Sequence, residues 1–95
     1  MNLPDSDPLK PVCELLVRAF PQGVPEHLYI PLLGVLAEEM SFRAISRAIA
    51  VAFTKNYFDV LHDSFGAESE AAQLPDAVAE VRSKLSDAGY YALDD

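Results

Sequence analysis

The side chains able to do chemistry in this sequence are few and far apart. His27, His62 and Cys13 are its only imidazoles and thiol. No His-x-x-x-His, Cys-x-x-Cys or Glu-x-x-His spacing joins them, so no two ligands share a helical face where a metal would need them. His62 precedes Asp63, in the order of a base and its orienting carboxylate. Neighbours on a helix point in different directions, however, so the pair reads as surface chemistry. Cys13 falls beside Val12 and Leu16 on an apolar stripe. There a thiol packs as a small hydrophobe unless an open, cationic setting activates it. Gly23, Gly34, Gly66 and Gly89 stand singly and form no phosphate-cradling loop. Glu38-Glu39 and Asp94-Asp95 read as solvated carboxylates. The expectation is no catalytic, cofactor-binding or metal-binding residue, hence no enzyme and no cofactor.

The bulk properties describe the same kind of molecule. A chain of 95 residues, 51% of them hydrophobic, is expected to fold as one domain over residues 1–95 with a modest core. Its longest apolar run, Tyr29 to Ala37, is interrupted by Pro31 and Gly34 and is too short to span a bilayer, so no membrane association is expected. The segment Met1-Asn2-Leu3-Pro4-Asp5-Ser6-Asp7 has neither a basic leader nor an apolar stretch, so no secretory signal is expected. A single cysteine leaves no internal disulfide and fits a reducing compartment. A cytoplasmic protein is expected.

What must position these residues is a set of helices, because no segment alternates with period two. The first is expected from about Pro8 to Ala19, with Asp7 as N-cap or with a start deferred to Pro11; Leu9, Val12, Cys13, Leu16 and Phe20 form its stripe. The second spans roughly Glu26 to Met40, its stripe being Tyr29, Leu32, Leu33, Leu36 and Met40, with Pro31 dividing a loose turn from the regular helix. Ser41 caps a third, from Phe42 past Phe53, whose apolar face is Phe42, Ile45, Ile49, Ala52 and Phe53. Asn56 caps a short fourth, Tyr57 to Phe65, stopped by Gly66. Residues 66–73 read as a loose polar connection, and residues 1–7 and 92–95 as frayed tails. Pro75 opens the last helix and Gly89 closes it, with Leu74, Val78, Val81, Leu85 and Ala88 on one side. The fold class is all-α, a compact bundle of about five helices.

Between the first two helices, Phe20-Pro21-Gln22-Gly23-Val24-Pro25 forms an elbow. Proline fixes its own φ and restricts the residue before it, Gly23 supplies a positive φ, and Phe20 and Val24 anchor both sides. This elbow, with Tyr29 and Pro31-Leu32-Leu33, resembles the signature of a small uncharacterised family from mycobacteria and related actinobacteria, known only as a domain of unknown function. Val81-Arg82-Ser83-Lys84-Leu85 and Ala88-Gly89-Tyr90 resemble its closing pattern. The resemblance implies a bundle of about five helices and no activity, cofactor or ligand.

For function, recognition is the leading expectation: a non-enzymatic interaction or regulatory module with an unknown protein partner, itself a monomer or weak homodimer. Tyr90, Tyr91, Arg43 and Arg47 are the candidate partner surface, since tyrosine offers an apolar ring with a polar tip. The alternative is a nucleic-acid-binding regulator using the helix over residues 41–55. Leu36 to Ile49 looks like the two central helices of a helix-turn-helix, although Met40 and Ser41 leave little room for the turn. Residues 41–58 hold Arg43, Arg47 and Lys55 and no acid, while the flanking segments hold all 15 carboxylates of a chain with net charge −8. Three cations neutralise few phosphates, so no nucleic-acid binding is expected, and the arginines are expected to pair with Glu38, Glu39 or acids of the last helix.

Overall fold

Past its first two residues, the second helix has no solvent side. In a computed structural model, which describes residues 3–90, Leu28, Pro31, Leu32, Leu33, Gly34, Val35 and Leu36 are all buried on α2 (Glu26–Leu36). A helix apolar all round must be covered all round. The other elements are α1 (Lys10–Ala19), α3 (Phe42–Phe53), α4 (Tyr57–Ser64), α5 (Ala67–Ala71) and α6 (Pro75–Asp87), of which α4, α5 and α6 pack directly on α2, with no strand among the described residues. Packing runs α1 on α3, α3 on α4, α4 on α2, α2 on α6 and α6 back on α1, which closes a ring, and α5 lies against α2. Leu16, Leu32, Leu36, Ile45, Ile49, Val60, Val81 and Leu85 meet in the shared core. The fold is an all-α bundle, as expected, with one more helix than the periodicity indicated.

Local chemistry sets most of the boundaries. The Ser41 hydroxyl accepts from the Ala44 amide at 3.1 Å and starts α3. The Asn56 side chain accepts from Phe58 and Asp59 amides at 2.9 and 3.1 Å and starts α4. At the far end of α6, Gly89 adopts φ +109°. The amide of Tyr90 then reaches back to the Leu85 carbonyl at 2.9 Å and that of Gly89 to Ser86 at 3.0 Å. These are the two closing bonds of a Schellman turn. The elbow is built as expected: Phe20 is buried, Val24 packs on the core, and Gly23 has φ +91°. Thr54 ends α3 at φ 55°, a left-handed conformation that a β-branched side chain rarely adopts.

Several expectations are corrected. Pro31 does not divide α2; the helix runs through it, and the missing N–H leaves only the carbonyl of His27, an exposed residue, without its helical donor. Helix α2 stops at Leu36 rather than Met40, because Ala37 to Glu39 turn to bring Ser41 into the extended conformation that a cap needs. The 66–73 segment is not a loose link. It forms α5, with Ala67 and Ala71 buried against α2 where Gly34 lets the backbones approach. Of the 1–7 tail, Leu3 joins the core and Asp7 bonds the Leu9 amide at 2.9 Å, so α1 begins only at Lys10. Residues 92–95 lie outside the described residues. Val78 is half-buried rather than buried, and Phe42 is exposed.

Candidate functional site

Helix α4 carries more apolar side chains than its inner face accommodates. Asn56 sets its start, and from there Val60 and Ser64 point inward and are buried. Phe58, Leu61 and Phe65, at i, i+3 and i+7, share another face. Phe58 is 72% exposed and Phe65 59% exposed. The Phe65 ring meets Phe42 of α3 edge-on, 5.5 Å between centroids, and Phe42 is itself 38% exposed. Tyr57 meets Phe58 edge-on at 5.1 Å. Two aromatic pairs, Phe42–Phe65 and Tyr57–Phe58, therefore leave exposed rings at the two ends of α4.

Arg43 is exposed beside Phe42 and makes no hydrogen bond or ion pair among the described residues. The other arginines are all engaged. Arg18 donates through Nε and Nη2 to the Ala88 carbonyl at 3.2 and 3.1 Å, tying α1 to the end of α6. Arg82 makes a two-pronged pair with Glu38 at 3.0 and 2.6 Å, tying α6 to the turn after α2. Arg47 bonds Asp7, not Glu38, Glu39 or an α6 carboxylate. The Leu9 amide, and secondarily Arg47, hold the Asp7 carboxyl below its ordinary range. Lys55 stands over the Tyr29 ring at 5.5 Å.

Of the residues expected to form a partner surface, Arg43 and Arg47 thus share a face, Arg47 anchored to the N-terminal segment. Tyr90 does not join them. It packs against the core with its hydroxyl buried and without a partner among the described residues, and burial, then Glu39 and Glu38, push its phenol up. Tyr91 lies outside the described residues. Phe58 and Phe65 are instead the most exposed aromatic side chains among the described residues. The i, i+3, i+7 pattern on a helix whose inner positions, Val60 and Ser64, are small was the available signal.

The remaining candidates behave as packing or surface. The Cys13 thiol is buried 3.5 Å from the Ala48 carbonyl, and desolvation pushes it up, away from the reactive thiolate. An open groove of about 740 Å³ passes over it, lined by Leu3, Glu14, Val17, Val51 and Thr54 among others. His62 Nδ1 is 3.9 Å from Asp63 Oδ1, beyond hydrogen-bond reach. Asp63 instead accepts from the Tyr29 hydroxyl at 2.8 Å. Among the described residues no group of three or more His, Cys, Asp or Glu side chains is placed to hold a metal, and no helix is long and apolar enough to cross a membrane.

Burial, then the Asp63 contact, holds the Tyr29 phenol well above its ordinary value of 10.0. The fold therefore favours the protonated ring. That contribution to stability is complete below the unfolded value and is lost as pH rises toward the shifted one. In an alkaline titration, the absorbance difference between wild type and Tyr29→Phe should be a phenolate formed only above the ordinary tyrosine range. A phenolate half formed near pH 10.0, the ordinary value, would contradict the contact.

Comparison with protein-family models gives no match, and searches of curated proteins and of solved structures likewise give none. The functional reading rests on the chain's own geometry.

Proposed function

We propose that this protein is a non-enzymatic, cytoplasmic interaction module that binds a protein partner through the outer face of α3 and α4. One observation carries the reading: Phe58 and Phe65 stay 72% and 59% exposed in a bundle that buries all the leucines of α2. A single exposed apolar residue at a surface is ordinary, whereas two phenylalanines more than half exposed at i and i+7 along one short helix support a contact site. The resemblance to the actinobacterial family is part of the same proposal and adds no activity to it.

The test is a Phe58→Ser, Phe65→Ser double variant. Its thermal midpoint should match wild type, since substitutions outside the core change stability by about 0.5 kcal/mol or less. Its binding of an apolar fluorescent dye should fall sharply. A loss of several kcal/mol would show that the rings hold the bundle together, and the reading would fail.

Duplex recognition by α3 is the second reading. The end of α2 at Leu36 leaves residues 37–41 for a turn, more room than the sequence indicated, and Arg43 is exposed. Charge weighs against it, because Arg47 is held by Asp7 and acids flank the helix on both sides in a chain of net charge −8. Fluorescence anisotropy against mixed-sequence duplexes should show no salt-dependent binding. Micromolar binding abolished by Arg43→Glu would favour this reading instead.

A further inference from the structure

We draw no further inference here: the strongest candidate, the open groove between α1 and α3 that passes over Cys13 beside the N-terminal segment, carries nothing because its thiol is a lone buried cysteine and nothing in the structure shows what covers the groove.

Discussion

Replacing Gly34 with alanine should destabilise this protein by about 1–3 kcal/mol. In most helix interiors the same change stabilises by up to ~1 kcal/mol, because alanine restricts the unfolded chain and favours helix. Here the sign reverses. A Cβ on Gly34 would stand 2.6 Å from the Ala71 Cβ and 3.2 Å from the Ala67 carbonyl oxygen. Neither is the end of a movable side chain, so α2 and α5 must separate. Removing the nearer obstacle should restore part of the loss. The double variant Gly34→Ala, Ala71→Gly should be more stable than Gly34→Ala alone, with the Ala67 carbonyl keeping recovery incomplete. Urea denaturation of the four proteins measures the coupling. A higher midpoint for Gly34→Ala than for wild type would mean that α5 does not pack where the structure places it.

The larger loss is expected at the centre of α2. Leu32 is fully buried among the core residues of the other helices. Leu32→Ala should cost ~2–5 kcal/mol, the removed methyl groups plus the cavity they leave. A small domain has total stability of about 5–15 kcal/mol, so this variant should be partly unfolded at moderate temperature. Denaturant titration should show the lower midpoint with little change in slope. A loss below ~1 kcal/mol, typical of exposed sites, would place Leu32 outside the core.

How much of this was legible in the sequence depended on whether a segment had two distinguishable faces. Helices α3, α4 and α6 combine a polar side with end signals, Ser41 and Asn56 at starts and Gly89 at an end, and their positions follow from those, whereas α1 has no side-chain cap and its start was not marked. Helix α2 has no polar side to contrast with, so its spacing marks only part of the buried surface and gives no sign that the helix continues through Pro31. Helix α5 failed for the opposite reason. Its buried positions are Ala67 and Ala71, and two alanines among glutamates carry almost no hydrophobic signal. Their small size is what matters, because a larger residue would not fit against Gly34. That requirement belongs to a contact between segments more than thirty residues apart, where no local pattern records it.

The candidate site was hidden by a one-way rule. Large apolar residues are usually inside, so Phe42 reads as part of the apolar face of α3, and nothing in the spacing marks Phe58 and Phe65 as exposed. Arg43 and Arg47 were read correctly as sharing a face. The Arg47 partner, Asp7, was not legible, since forty residues separate them and several acids were equally placed by sequence. Tyr90 misled because a tyrosine near an end resembles an exposed recognition residue, whereas the Schellman turn at Gly89 folds it back onto the core.

The most direct measurement is site-specific photocrosslinking from Leu61, between Phe58 of α4 and Phe65 at its C-terminal cap, in lysate of the source cells. The probe should give a discrete protein adduct that disappears in Phe58→Ser and is absent when the probe is moved to the exposed Gln73 beyond α5. An adduct pattern unchanged by Phe58→Ser, or the same from Gln73 as from Leu61, would contradict a binding role for the α3–α4 face.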